Sequence, residues 1–203
     1  MKTEKSVLVT GFAPFGGQRI NPSWVCVDML PDSLMGVKII KRELPVVWYE
    51  AIDMLYELID EYSPRGIICV GQAGGYPDII VERVGINLCN GADNDGVTLK
   101  DAPIFPGAPS AYFSTLPYDD ILADLQGAKI PSRFSFSAGT YLCNHVLYGV
   151  LHRAAVKKPG MRGGFVHVPF LPQQVIDTGG KSMPLEVMSK GVELCVEGLC
   201  KVI

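Results

Sequence analysis

Apolar residues arrive in short runs separated by amphipathic stretches. Ser6 to Thr10, Val37 to Val47 and Gly66 to Gly71 read as strands, and between them Pro22 to Leu30 and Trp48 to Tyr62 read as helices. In the second helical stretch Ile52, Leu55, Tyr56 and Ile59 recur at helical spacing, while Glu50, Asp53, Glu57 and Asp60 face elsewhere. One stripe of that helix packs on a sheet. Strands alternating with such helices mark a largely parallel sheet covered on both faces, an α/β fold. Asn21 followed by Pro22 is an N-cap with proline at the first helical position, which sets where the first helix begins.

Ile79 to Val84 predicts a further strand. From Leu88 to Ser110 the density of Asn, Asp, Gly and Pro predicts a long loop, a kind of segment that often carries function. A helix over Tyr118 to Leu125, a strand over Arg133 to Ser137, a helix over Tyr141 to Lys157 and a strand over Gly163 to Phe170 follow. The tail from Pro184 is helical, with Val187, Gly191, Leu194 and Cys195 along one side. No repeat or low-complexity segment interrupts the pattern, and 203 residues suit one domain over 1–203.

Composition and charge narrow the partners. A net charge of −3 with scattered Lys and Arg leaves no basic stripe for nucleic acid. No apolar stretch approaches the ~20 residues needed to cross a bilayer. Met1-Lys-Thr-Glu-Lys leads into a strand-like run without a cleavage-site pattern, so the expectation is a cytoplasmic protein. Six cysteines, at 26, 69, 89, 143, 195 and 200, show no metal-type pairing, and no zinc site is expected. In a reducing compartment most are buried apolar groups. Cys195 and Cys200 are offset by about 140° around their helix, which argues against a mutual disulfide.

Cys143 stands apart because it lies at the start of a helix that follows a strand through a Gly-containing turn. Unpaired N–H groups and the positive end of the helix dipole favour a thiolate there and can receive an oxyanion. The same residue type on a helix also packs as core, beside Leu147, Val150 and Ala154. Only three histidines offer a base. His145 points about 200° away from Cys143 around the helix, and His152 shares that helix, so a base from another element is easier geometrically. His167 ends a strand rich in Val and Phe, and Glu82 sits in a similar apolar run. Either can be a satisfied structural residue; together they also suit a base and the carboxylate that orients it.

Four separated segments resemble the pyroglutamyl peptidase I (pyrrolidone carboxyl peptidase) family of cysteine peptidases. Thr10-Gly-Phe-Ala-Pro-Phe-Gly-Gly17 with Asn21-Pro22-Ser23 is similar to the family's opening motif. Gly71-Gln-Ala-Gly-Gly75 through Glu82-Arg-Val-Gly-Ile-Asn87 is similar to its glutamate motif. Ser137 to His145 and Gly164 to Gln174 resemble its cysteine and histidine motifs. The resemblance implies Cys143 as nucleophile, His167 as general base and Glu82 as orienting acid. It implies a cofactor-free, three-layer α/β/α fold with a twisted mixed sheet, and assembly into homo-oligomers, dimers or tetramers. It implies pyroglutamyl peptides as substrates, held by Phe12 and Phe15 with Gln72, Tyr141 and Leu142. A flat, uncharged lactam with one donor and one acceptor suits such an aromatic slot, although both phenylalanines also suit plain core packing.

One departure stands out: many bacterial members carry an Arg shortly after the glutamate motif, where this chain has Ala92. Backbone N–H groups near Cys143, or Arg83 or Lys100, are the candidate replacements. The turn from Gly11 to Gly17 also permits a phosphate-binding reading, but it lacks both P-loop and G-x-G-x-x-G spacing and Pro14 removes a donor.

Overall fold

Because successive strand residues point to opposite faces, a strand apolar throughout needs a layer on each side, and several strands here are buried along their whole length. The computed structural model describes residues 5–203; the leader-free reading at Met1 to Glu4 lies outside the described residues. In chain order come β1 (Ser6–Phe12), α1 (Pro22–Asp28), β2 (Ser33–Leu34), β3 (Val37–Leu44), α2 (Glu50–Tyr62) and β4 (Gly66–Gln72). Then follow β5 (Ile79–Glu82), β6 (Val84–Ile86), β7 (Cys89–Ala92), β8 (Thr98–Ala102), β9 (Ala111–Phe113) and α3 (Tyr118–Gly127). The chain ends with β10 (Ser132–Ser135), α4 (Leu142–Val156), β11 (Arg162–Val168) and α5 (Leu185–Cys200).

Seven strands form one sheet in the order β10-β5-β11-β4-β1-β3-β2. The pairs β10/β5, β11/β4, β4/β1 and β1/β3 are parallel, whereas β11/β5 and β3/β2 are antiparallel. The sheet is therefore mixed and mostly parallel, in agreement with the α/β expectation. Alternation splits the core in two. Val7, Val9, Ile68, Val70, Val166 and Val168 pack with residues of α1, α3 and α5, and Leu8, Ile67, Cys69 and Phe165 pack with α2 and α4. In β5, Ile79 and Val81 belong to the first face, so Ile80 and Glu82 point to the second. There Glu82 pairs with Phe165, and Ile80 with His167. Parity alone places Glu82 and His167 on the α4 side.

Several local boundaries follow from single residues. Asn21 caps α1 by accepting the Ser23 N–H at 3.1 Å, and the Phe12 N–H donates to Ser23 Oγ at 3.0 Å. A Cβ on Gly11 would lie 2.5 Å from Trp24 Cα, so this glycine lets α1 press on the end of β1. The expected strand to Val47 stops at Leu44, because Pro45 has no N–H to continue the ladder. The helix expected from Trp48 begins at Glu50, after Tyr49 takes φ 63°.

The long loop expected over Leu88 to Ser110 is largely a hairpin. β7 and β8 pair antiparallel, and Asp93 organises their turn by accepting the Asp95 and Val97 N–H groups at 3.0 and 2.8 Å. Its other oxygen accepts the Trp48 N–H at 2.9 Å, which ties the hairpin to the segment before α2. The polar residues that read as loop are the turn chemistry of this hairpin.

The first turn of α4 is tied to β6 by Asn144, which is fully buried. Its Oδ1 accepts the Ile86 N–H at 2.9 Å, and its Nδ2 donates to the Ile86 and Leu88 carbonyls at 2.9 and 3.0 Å. Truncating it strands the Ile86 N–H and the Leu88 carbonyl, while the Ile86 carbonyl keeps the Leu88 N–H at 2.9 Å. Asn144→Ala is expected to cost about 2–4 kcal/mol, read from the urea unfolding midpoint. Asn144→Asp, which keeps the acceptor but loses both donors, is expected to cost no less.

Candidate active site

Cys143 is the second residue of α4, whose N-cap, Tyr141, makes no side-chain capping bond. The first N–H with an intrahelical acceptor belongs to His145, which donates to the Tyr141 carbonyl at 3.0 Å. The N–H groups of Leu142, Cys143 and Asn144 precede it and have no i−4 carbonyl to bond. These donors and the helix dipole make the start of α4 a place for negative charge. Cys143 is half-buried, and the other five cysteines are buried and free. Burial pushes the Cys69 and Cys195 thiols up to about 12 and those of Cys26, Cys89 and Cys200 up to about 11. Those five stay protonated at neutral pH and serve as small core residues.

The thiol fits where it does because β4 has a glycine beneath it. A Cβ on Gly71 would come within 2.6 Å of the Phe165 ring and 3.0 Å of Cys143 Sγ. His167, at the end of β11, is 6% exposed, and Glu82, at the end of β5, is 2% exposed. His167 Nδ1 and Glu82 Oε1 are 2.8 Å apart, which leaves Nε2 for the thiol. Burial on its own would depress the imidazole. The charge and hydrogen bond of Cys143, together with the hydrogen bond and charge of Glu82, outweigh it and raise His167 from 6.5 to about 9.

The two other histidines are occupied elsewhere. His145 is enclosed edge-on by the Trp48 and Tyr49 rings, with centroids at 5.2 and 5.4 Å, and burial pushes it down to about 4. His152 stacks on Phe105 at 4.7 Å and bonds the Tyr112 hydroxyl at 3.1 Å.

Phe12, Phe15, Gln72, Tyr141 and Leu142, all five pocket residues implied by the sequence, line one narrow slot that ends at Cys143. Asn21 and Val46 complete it; the sequence marked Asn21 as a helix cap within the opening motif and Val46 as a strand residue, and neither as part of a slot. Gln174 was also missed. Its Nε2 donates to Gln72 Oε1 at 2.9 Å, fixing the Gln72 amide with its N–H groups free. Tyr141 reaches over Gly91, edge-on to Trp48 at 5.2 Å, and donates its hydroxyl to the Ala92 carbonyl at 2.8 Å.

Ala92 itself is exposed, and neither basic candidate for its place serves the site. Arg83 follows Glu82 and so points through the opposite face, where its guanidinium lies 3.4 Å from the Tyr118 ring centroid. Lys100 is exposed on β8 and makes no hydrogen bond or ion pair among the described residues. The free N–H groups at the start of α4 are what remains near the thiol. Nor does the glycine turn before α1 form a phosphate cradle, since Asn21 caps that helix and Phe12 and Phe15 turn into the slot. No cluster of metal-ligating side chains occurs among the described residues, and none of their helices is long and apolar enough to cross a membrane.

A family model described as pyroglutamyl peptidase matches residues 5–202. The chain belongs to the pyroglutamyl peptidase family. It is thus an enzyme of the cysteine-type hydrolases. The pyrrolidone-carboxylate peptidase of Thermococcus onnurineus is 49% identical over 193 residues, 94% of this chain and 96% of that one. Crystal structures agree. Pyroglutamyl peptidase I of Bacillus amyloliquefaciens superposes with a TM-score of 0.93 at 38% identity, over 97% of this chain and 95% of that one. A mutant pyrrolidone carboxyl peptidase from Pyrococcus furiosus gives 0.94 at 40% identity, over 98% and 99%. This pyroglutamyl peptidase family member thus shares the fold of its relatives across almost its full length.

The balance at His167 is open to measurement. Removing an anion that favours the protonated ring lowers its pKa. An NMR titration of the imidazole is therefore expected to move from about 9 in the wild type toward or below 6.5 in both Cys143→Ser and Glu82→Gln. An unchanged value in either variant excludes that neighbour as a source of the shift.

Proposed function

We propose that Cys143, His167 and Glu82 act as nucleophile, general acid–base and positioning carboxylate in releasing pyroglutamate from peptide N-termini. One observation carries the reading. The single half-buried thiol lies at a helix start, over Gly71, the residue paired in the sheet with a buried histidine whose Nδ1 is held by a carboxylate at 2.8 Å.

The Cys143 thiolate attacks the carbonyl carbon that links pyroglutamate to the next residue, forming a C–S bond. The carbonyl oxygen becomes an oxyanion facing the free N–H groups at the start of α4. His167, protonated, passes its proton to the departing nitrogen, and the C–N bond breaks to leave a thioester. His167 then takes a proton from water as the water adds to the thioester carbonyl; pyroglutamic acid leaves and the thiolate–imidazolium pair is restored. Glu82 holds the ring through Nδ1 and offsets its charge.

The slot suits the lactam. Phe12 and Phe15 supply flat apolar walls, and the free N–H groups of Gln72 meet a carbonyl. Its free volume is about 20 Å³, room for about one water, so a ring enters by displacing a wall. Phe15 is the wall built to move, being half-buried and followed by Gly16 and Gly17 at φ 60° and 75°. A cytoplasmic setting goes with this reading and is supported by the six free thiols.

Pyroglutamyl, prolyl and glutamyl reporter arylamides assayed side by side test the reading. Only the pyroglutamyl compound is expected to turn over, and Cys143→Ser is expected to abolish that turnover; full retention of activity would falsify the assignment. Because the imidazolium supplies the proton, kcat/KM is expected to hold through neutral pH and fall as pH rises through about 9. A rate still rising there excludes His167 as the acid.

A further inference from the structure

A second cavity, of about 680 Å³, opens on the other side of the reactive pair. It shares no wall residue with the slot: Cys143 bounds the slot, while His167 bounds this cavity. Tyr76, from the segment between β4 and β5, and Phe136, from the segment between β10 and α4, stand at its rim 48% and 66% exposed. Arg133 is its one Lys or Arg.

The strand register fixes how far Arg133 is from the chemistry. His167 pairs with Ile80, and Ile80 with Arg133, so all three side chains share one face. Two strand spacings separate the outer pair, about 10 Å, and an extended peptide covers that distance in about three residues. The guanidinium is held in place but not used up. Its Nε lies 3.4 Å from Asp78 Oδ2, its carbon 4.6 Å from the Tyr76 ring centroid, and Nη1 donates to the Phe134 carbonyl at 3.3 Å. Nη2 makes no hydrogen bond among the described residues, and the side chain is 40% exposed.

The acid that protonates a departing amine must face it, so the chain beyond the scissile bond runs from His167 into this cavity. We infer that the cavity holds the leaving peptide and that Arg133 is a specificity-determining residue, pairing with the C-terminal carboxylate of a short substrate. This rests on the assignment of Cys143 and His167 proposed above. Substrates with about three residues beyond the scissile bond and a free carboxylate are then preferred over the same peptides ending in an amide. Tyr76 and Phe136 flank the first side chain after the bond.

The test compares kcat/KM for pyroglutamyl-alanyl-alanyl-alanine and its C-terminal amide. Arg133 is partly solvated and already shares its charge with Asp78, so the acid is expected to win by about two- to fivefold at low ionic strength, with the advantage shrinking as salt is added. The ratio is expected to fall to about one in Arg133→Gln and to rise in Asp78→Asn, which removes the competing carboxylate. A wild-type ratio of one, or the same ratio in all folded variants, overturns the inference. If Arg133→Gln does not fold, the wild-type ratio, its salt dependence and Asp78→Asn decide. A pyroglutamyl arylamide, which carries no carboxylate for Arg133 to pair with, is run alongside. Arylamide cleavage without any preference for the acid rejects the role of Arg133 alone, whereas no arylamide cleavage rejects the active-site assignment beneath it.

Discussion

The position of the Cys143 thiol depends on one buried carboxamide. Asn144 occupies the Ile86 N–H and the Ile86 and Leu88 carbonyls; the first and last of these would otherwise be unpaired, while the Ile86 carbonyl also accepts the Leu88 N–H at 2.9 Å. A fully satisfied buried amide is stiff, because each alternative position leaves a polar group without a partner. It sets both the distance and the rotation of α4 against β6. Gly85 completes the contact, since a Cβ there would sit 2.9 Å from the Tyr148 backbone nitrogen. With Asn144 locked, the preceding residue has little choice of direction. Cys143 is aimed over Gly71 on β4 and toward His167 on β11, and their placement side by side becomes a consequence of helix docking.

Parity of the strands does the rest. Adjacent residues Glu82 and Arg83 leave the sheet through opposite faces, one to His167 and the other to Tyr118. The arginine next in sequence to the site is thereby removed from it, and Lys100 lies exposed on β8. The site is left with the backbone donors at the start of α4, which need no side-chain ordering.

Much of this was legible in the chain. The strand-and-helix rhythm predicted the mostly parallel sheet, and Asn21-Pro22 marked the first helix to the residue. Cys143 was visible as a thiol at a helix start, and Glu82 and His167 as ionisable residues in apolar strands. Arg83 was misread although its signal was present, since it alternates with Glu82. The hairpin of β7 and β8 was hidden because Asp93, Asn94, Asp95 and Gly96 look the same in a long loop and in a tight turn; what distinguishes them is the distant Trp48 N–H on Asp93. Asn144 was missed for the same reason. Its three partners lie 56 to 58 residues away, and only its oddity as a carboxamide inside an apolar helix marked it.

The electrostatics at His167 explain why Cys143, His167 and Glu82 come as a set. Burial by itself disfavours an imidazolium, and that is the outcome at His145, enclosed by rings with no charged partner and pushed down to about 4. His167 is as deeply placed, yet it is raised to about 9, because Cys143 and Glu82 surround it with negative charge and hydrogen-bond acceptors. A lone charge at either position is costly in an apolar setting, whereas paired charges with satisfied hydrogen bonds are tolerated. Glu82, 2.8 Å from Nδ1, is the neighbour that makes a buried imidazolium tolerable at His167. The fold, by bringing together the ends of β5 and β11 and the start of α4, supplies all three parts at once.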